Sequence, residues 1–183
     1  MSDGPSQEIL ACLTEVFRVE GYEGASLSRL AEAAGLKRAS LYHHFPGGKQ
    51  DMAEAVLRHV LQRFGGEVLA TLAGDAEPRA RLVRLSDALR RFYDDGRAPC
   101  LLGSFSLGAG LGTFQSSLAD AFRAWIDAVA ETVRAAGIPA KEARRRAEDA
   151  VIRVQGALVL TRGLDDPRLF VRTVRALPDE LLA

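Results

Sequence analysis

The chain has 183 residues, of which 48% are apolar and 26% charged, a composition that fits a globular protein and excludes a disordered one. Its 24 basic and 24 acidic residues cancel, so an overall basic coat for nucleic acid is excluded and any anion-binding surface must be local. Cys12 and Cys100 are too few and too far apart for a disulfide framework or a zinc ribbon. No long apolar run or signal leader is present, which predicts a cytoplasmic protein without a membrane partner.

Two helices are predicted before residue 36. The first begins at Ser6, repeats apolar residues at offsets of three and four, and ends at Gly21. The second is short and is capped by Ser26 or Ser28. Gly35 ends it, because glycine tolerates the left-handed backbone of a tight turn.

A third helix is predicted from Lys37 to Phe45, where the segment Pro46-Gly47-Gly48 stops it. The short turn around Gly35 joins it to the second helix, which is the helix-turn-helix layout. Leu41 and Phe45 lie four residues apart and are predicted to face inward. The outer face of the third helix then consists of Lys37, Arg38, Ala39, Ser40, Tyr42, His43 and His44.

The rest of the chain also repeats apolar residues at helical spacing, without sustained period-two alternation. The fold class predicted is therefore all-α, with an N-terminal three-helix helix-turn-helix domain, a larger helical domain and about nine helices. Gly65-Gly66 is a weak point in the fourth helix, because glycine costs about 1 kcal/mol relative to alanine there. The main helices predicted after residue 48 span residues 49–72, 79–94, 117–136, 139–163 and 166–177.

The segments GYEGASLSRLA and AEAAGLKRASLYHHFPGGK resemble the DNA-binding region of the TetR family of bacterial regulators over residues 8–60. The resemblance implies that the third helix reads operator bases through Arg38, Ala39 and Ser40. Lys37, at the start of the same helix, is also predicted to contact DNA. The Pro-Gly-Gly-Lys form and the later segment CLLGSFSLG are similar to the LmrA-like branch of the family. Contacts with the DNA backbone are implied for Ser26, Ser28, Tyr42, His43, His44 and Lys49.

The adjacent pair His43 and His44 also raises the alternatives of a metal site, a catalytic pair or two solvated side chains. Neighbouring residues on a helix project roughly 100° apart. A zinc pair needs a common face, so contact with phosphate is favoured and no metal site is predicted. His59 is the only histidine elsewhere, and no nucleophile or acid-base pair accompanies it. We therefore predict no catalytic residue, no cofactor and no enzyme activity.

A single helix-turn-helix reads only a few base pairs. Two copies on a twofold axis, roughly 34–36 Å apart, reach successive major grooves. A homodimer on palindromic double-stranded operator DNA is therefore expected. Two apolar stripes near the C-terminus are predicted to form its interface, the alternative being that they pack within one chain. The predicted interface residues are Ala147, Val151, Val154, Leu158, Phe170, Val174 and Leu177.

Aromatic side chains are plentiful between residues 85 and 129, and the TetR resemblance implies a small-molecule pocket there, although an ordinary core is the alternative. Residues 1–50 are therefore predicted to bind DNA, and residues 51–183 to bind a ligand and dimerise. The predicted function is a repressor that a small, mostly apolar effector releases from DNA. The alternatives are a DNA-binding protein without a ligand and a helical small-molecule-binding module without an operator. The predicted pocket residues are Leu89, Phe92, Phe105, Phe114, Phe122, Trp125, Val129 and Gln155.

Overall fold

The structure is a computed structural model that describes residues 5–108 and 110–183. Residues 1–4 and 109, which fall within the predicted domains 1–50 and 51–183, lie outside the described residues. The described part of the chain is all-α, as predicted, and none of its helices has the length and apolar content needed to cross a bilayer. Its helices are α1 (Gln7–Gly24), α2 (Leu27–Ala33), α3 (Arg38–His44), α4 (Lys49–Glu67), α5 (Pro78–Phe92), α6 (Leu101–Phe105), α7 (Gly110–Ala135), α8 (Ala140–Leu164) and α9 (Pro167–Leu182).

The chain divides into two compact units. The first contains the described residues up to Gln62 together with Leu101–Leu118, and the second contains Arg63–Cys100 and Ala119–Ala183. Helix α6 therefore belongs to the same unit as the helix-turn-helix, although more than fifty residues separate α3 from α6 in sequence. The functional boundary after residue 50 remains a prediction, because compactness groups residues by contact and not by role.

The first helix begins as predicted after Ser6 and is interrupted at the predicted Gly21, but it extends to Gly24. The Ser6 side chain accepts a hydrogen bond from the Ile9 backbone N–H at 3.3 Å and caps the N-terminus of α1. Gly21 has a φ of +69°, which breaks the helical path before Tyr22 and Glu23. Leu13 and Phe17 of α1 are fully buried in the core of the first unit.

Three other helix boundaries differ from the prediction by more than two residues. α4 ends at Glu67, directly after Gly65-Gly66, and a 3₁₀ turn (Leu69–Leu72) takes the place of its predicted last turn. α7 begins at Gly110, well before residue 117, because burial of Phe114 offsets the poor helix propensity of the glycines around it. α9 continues through Pro178 to Leu182.

In the second unit, α5, α8 and α9 pack together, and the buried Ser86 hydroxyl of α5 donates to the Val174 carbonyl of α9 at 2.8 Å. The predicted dimer interface lies inside this packing. Each of its seven residues has 5% or less of its surface exposed in a single chain, so here they pack within one chain, and their role in a dimer stays a prediction. Both apolar stripes instead build the core that holds α8 and α9 to α5, in the seven residues Ala147, Val151, Val154, Leu158, Phe170, Val174 and Leu177.

A different face of α8 is apolar and exposed. Ile152, Val159, Leu160 and Leu164 have exposed fractions of 67%, 71%, 55% and 66%. Offsets of seven, eight and twelve residues from Ile152 place them along one side of the helix. Gly156 and Gly163 lie in the same stretch and are themselves exposed, so α8 presents backbone as well as large apolar side chains on this side.

Candidate nucleic-acid interface and effector core

The turn between α2 and α3 is built around Gly35. This residue has a φ of +63°, and its N–H donates to the Glu32 carbonyl at 3.0 Å. The Leu36 N–H donates to the Ala31 carbonyl at 2.9 Å, which completes a Schellman-type helix end. A side chain at position 35 would be strained in this conformation, so the glycine fixes the angle at which the chain enters α3.

Helix α3 has a buried side and an exposed side, and most of the predicted DNA contacts lie on the exposed side. Leu41 and Phe45 are 1% and 3% exposed and anchor α3 in the core of the first unit. Ser40 and His44 are half-buried. The remaining predicted DNA contacts on this helix and at its start are exposed, namely Lys37, Arg38, Ala39, Tyr42 and His43.

The two serines predicted to contact DNA have different local bonds. The Ser26 hydroxyl accepts from the Arg29 backbone N–H at 3.2 Å and caps α2. The Ser28 hydroxyl accepts from the Arg38 guanidinium, so α2 and α3 are linked at their exposed ends. Both serines remain exposed. The bond to Ser28 restrains Arg38, the side chain predicted to read a base.

Lys49 opens α4 and is held by the segment that follows the break in α1. Its Nζ donates to the Glu23 carbonyl oxygen at 3.1 Å and lies 4.9 Å from the centroid of the Tyr22 ring. An ammonium group has three donors, so two remain for an anion while the bond to Glu23 persists. Sequence reasoning did not find Tyr22 and Glu23, and the only available signal was the Gly21 that precedes them.

Tyr22 in turn belongs to an aromatic cluster of the first unit. Its ring centroid lies 5.2 Å from that of Phe114 and 6.1 Å from that of Phe105. A Cβ atom at Gly110 would come within 3.0 Å of the Tyr22 Cβ and 3.2 Å of the Phe105 carbonyl. The start of α7 is therefore packed tightly on the ring that lies under the Lys49 ammonium.

The Pro-Gly-Gly break before α4 accommodates Tyr42. Gly48 has a φ of +72°, and a Cβ there would lie 3.4 Å from Tyr42 Cε1. The Gly47 N–H donates to the Asp51 carboxylate, which is in the first turn of α4. The positive φ therefore favours glycine at position 48, and a Cβ there would meet the Tyr42 ring at ordinary van der Waals distance.

The rings of His43 and His44 have centroids 5.8 Å apart and an interplanar angle of 68°. His43 is exposed and His44 half-buried, so the two rings point in different directions, as expected for neighbours on a helix. Within residues 5–108 and 110–183, no group of three or more His, Cys, Asp or Glu side chains is placed to hold a metal ion.

The eight residues predicted to line one effector pocket are divided between the two units. Phe105 and Phe114 stack in the first unit with centroids 5.1 Å apart and belong to the Tyr22 cluster. In the second unit, Leu89, Trp125 and Val129 line a cavity of about 10 Å³. That volume holds about one water molecule, whereas small-molecule sites measure about 300–1,000 Å³. A pocket lined by all eight residues is therefore not formed in this conformation, and their role in effector binding stays a prediction.

Aromatic packing fills the second unit around that cavity. The Phe64 ring lies 4.8 Å from Trp125 and 5.2 Å from Phe92, both in edge-on geometry. Phe122, also a predicted pocket residue, is half-buried. Such edge-on pairs contribute about 0.5–1.5 kcal/mol each beyond the area they bury.

Gln155, the polar residue predicted to orient a ligand, lies beside Cys100. The Gln155 Nε2 and the Tyr93 hydroxyl both donate to the Cys100 Sγ at 3.4 Å. Cys100 is 6% exposed. In this conformation the Gln155 amide therefore has a partner inside the protein.

The fold and this geometry define a helix-turn-helix regulator. The family model described as "Bacterial regulatory proteins, tetR family" matches residues 9–56. The chain belongs to the TetR family, as the resemblance predicted. Within that family it is a member of the LmrA/YxaF-like group, since the model "Transcriptional regulator LmrA/YxaF-like, C-terminal domain" matches residues 80–175, just over half of the chain. It is a transcriptional regulator with a DNA-binding domain.

Known proteins align over almost the whole length. The HTH-type transcriptional regulator LmrA of Bacillus subtilis strain 168 is 23% identical over 186 residues, covering 99% of both chains. A TetR regulator from Legionella pneumophila has a TM-score of 0.83 at 23% identity, with both chains fully covered. A cysteine mutant of the regulator CifR, complexed with 26-bp operator DNA, has a TM-score of 0.77 at 23% identity and 97% coverage of both chains. At these identities the solved structures establish the fold.

Proposed function

We propose that this regulator is a repressor that binds a palindromic operator as a homodimer and leaves it when a small, mostly apolar effector binds. The exposed face of α3 carries the proposal. Arg38, Ala39 and Ser40 lie at the start of the second helix of the motif, the position from which side chains reach base edges in a major groove. No acidic residue occurs between Leu36 and Gln50, so the surface is locally positive in a chain of zero net charge.

The side chains of α3 suit different parts of DNA. The Arg38 guanidinium can donate two hydrogen bonds to a guanine, and the Ala39 methyl can contact a thymine methyl. Ser40, with one donor and two acceptor sites, is compatible with more than one base. Phosphate contacts from the surrounding residues would fix the register on the duplex. These residues are Ser26, Ser28, Lys37, Tyr42, His43, His44 and Lys49.

The exposed face of α8 is our candidate for the dimer interface. Four large apolar side chains on one side of a helix are costly to leave in water, at about 25 cal/mol for each Å². Gly156 and Gly163 face open space, since a Cβ at either position meets no other atom within 4 Å. Because they have no side chain, a second helix could approach α8 closely there. A second copy of the chain is the proposed occupant, since two helix-turn-helix motifs are needed to read a palindrome.

A duplex of 26 bp, as bound by CifR, is long enough for two half-sites with centres about 10 bp apart. CifR has the same fold, and the length of its duplex supports the proposal that this chain uses two protomers on one duplex. The proposed set of α8 contacts, Ile152, Val159, Leu160 and Leu164, replaces the buried residues expected from the sequence.

The effector is proposed to enter the core of the second unit around Trp125. The cavity there is far smaller than a ligand, so binding would require neighbouring side chains to move. Trp125 lies on α7, the helix that also carries Phe114, which contacts Tyr22 in the first unit. A shift of α7 would thus disturb the ring under Lys49. DNA and effector would then oppose each other by a coupling free energy of about 1–3 kcal/mol.

Selection of duplexes from a random pool by the full-length chain tests the function. We expect the recovered sequences to share two inverted half-sites with centres about 10 bp apart. Recovery of a single half-site would contradict the dimer, and recovery of random sequence would leave only a helical module without an operator. A library of apolar metabolites then tests release. A complex that no member of the library weakens would favour a DNA-binding protein without an effector.

A further inference from the structure

A cleft in the second unit shares no lining residue with the small cavity beside Trp125. It has a volume of about 670 Å³ and runs between α9 and the turn at Asp95 and Arg97. Gly96 holds this turn against α9, because a Cβ there would lie 2.5 Å from the Phe170 Cβ. The φ of +94° at Gly96 also restricts the position to glycine. The cleft is therefore a fixed feature of the packing between the turn and the helix.

Arginines dominate the charge of this cleft. Arg168, Arg172 and Arg175 are spaced at four and three residues and so share one face of α9, while Arg97 lies on the opposite wall. Asp95 is the only acidic lining residue in the described part of the cleft, and it accepts a hydrogen bond from Arg90 at 2.8 Å.

Most of this positive charge has no carboxylate beside it. Arg168 donates to both oxygens of Asp166, at 2.8 and 3.0 Å. Arg97, Arg172 and Arg175 make no ion pair within 4.0 Å in the part of the chain that the structure describes. The hydrogen bond from Arg168 lowers the pKa of the Asp166 carboxyl, and Arg172 lies near enough to that carboxyl to help, but Arg168 already binds both of the carboxyl's oxygens. Like charges on one helix face repel each other, which an anion bound between them would relieve.

Part of the cleft lining is apolar, because Pro167, Val171 and Ala176 line it together with the arginines. The volume falls within the range of about 300–1,000 Å³ that small-molecule sites occupy. This combination fits an anion that carries an organic group, since guanidinium groups match phosphate oxygens in pairs and the apolar part of the lining offers contact to an apolar body.

We propose that this cleft binds an organic diphosphate. One phosphate monoester carries a charge of about −1.5 to −2 at pH 7, which leaves at least one of three guanidinium groups without a counter-charge. Two linked phosphates supply the charge that Arg97, Arg172 and Arg175 together require. The site would be separate from the one proposed for the apolar effector, because the two share no lining residue.

Isothermal titration of the full-length chain without DNA tests the site, with inorganic pyrophosphate, ADP and inorganic phosphate as probes. We expect ADP and pyrophosphate to bind more tightly than phosphate, and their binding to weaken with salt. The double substitution Arg172→Gln/Arg175→Gln should weaken both by about tenfold or more. Arg97→Gln, on the other wall, should also weaken them and provides a second variant if the first is poorly folded.

The control is Arg84→Gln/Arg91→Gln on α5, which removes the same charge from two exposed arginines outside the cleft. Equal loss in the control would show a general charge effect and overturn the proposal, as would the absence of heat with both pyrophosphate and ADP. If instead neither probe binds and Arg172→Gln/Arg175→Gln changes the oligomeric state, the cleft is a contact between copies and the proposal is wrong. Because DNA is absent throughout, none of these results bears on operator binding.

Discussion

Replacing Lys49 with Gln should change how DNA binding depends on salt, not only how tight it is. The Lys49 ammonium is held at the start of α4 by the Glu23 carbonyl at 3.1 Å, with the Tyr22 ring 4.9 Å away. Two of its three donors are left to bind a phosphate. Glutamine keeps most of the length of the side chain and removes the charge, so the bound phosphate would retain its counterions.

The size of the effect follows from counterion release. Each neutralised phosphate contributes about 0.9 to the slope of log K against log salt, and a dimer loses two such contacts. The slope should therefore become shallower by about 1.8. Between about 50 and about 200 mM salt, the affinity ratio of wild type to variant should then shrink about tenfold.

Fluorescence anisotropy of a labelled operator duplex, measured across that salt range, gives both slopes. Lys141→Gln is the matched control, because Lys141 is an exposed lysine on α8 in the other unit. It should leave the slope unchanged. A Lys49→Gln slope equal to that of wild type would refute the phosphate contact. A slope reduced equally in both variants would show that overall charge, and not the position of Lys49, governs the effect.

Three further predictions concern separate surfaces. Arg38→Ala should cost about 1–3 kcal/mol per half-site and relax base choice at one position, which repeated selection from a random pool would detect. Leu160→Glu should produce a monomer in light scattering while Val83→Glu, on exposed α5 surface, does not, and a dimer that survives Leu160→Glu would remove α8 from the interface. The hydrogen bond from Arg145, followed by that from Arg146, lowers the pKa of Glu142 to about 2. Because this pKa is lowered on folding, the associated stability is present above the unfolded pKa and is lost as the pH falls towards about 2. The Glu142 carboxylate should thus remain ionised in NMR titrations at about pH 3, where a free glutamate with a pKa of about 4.3 is protonated, and Arg145→Gln should raise its pKa.

The helix-turn-helix could be read from the sequence because its signals are local. Gly35 requires a positive φ, and the four-residue spacing of Leu41 and Phe45 decides which side of α3 is inside. Once that side is fixed, Arg38 and Tyr42 must lie outside. The roles of these exposed residues on DNA remain predictions.

The interface proposed on α8 could not be read in the same way, because the helix is apolar on two sides. One side contains Val151, Val154 and Leu158, and the other contains Ile152 and Leu160. Periodicity identifies both stripes and does not say which of them meets α5 and α9. Only tertiary packing shows which stripe is buried within one chain, and the interface itself stays a prediction.

The packing of the aromatic residues could not be read from the sequence for a related reason. Phe105 and Trp125 are 20 positions apart and equally apolar, yet they belong to different compact units. The sequence does not indicate that α6 packs on α1, where the Ser104 hydroxyl donates to the Arg18 carbonyl at 2.8 Å. Long-range pairings of this kind carry no local signal.

Because of its positive φ, Gly21 should affect operator binding although it is not one of the predicted DNA contacts. Tyr22 and Glu23, which contact Lys49, directly follow this glycine, so its φ of +69° sets their positions. A genetic screen for variants with weakened operator binding should therefore recover substitutions of Gly21. Such alleles would resemble phosphate-contact mutants in their ionic-strength behaviour while leaving base preference intact.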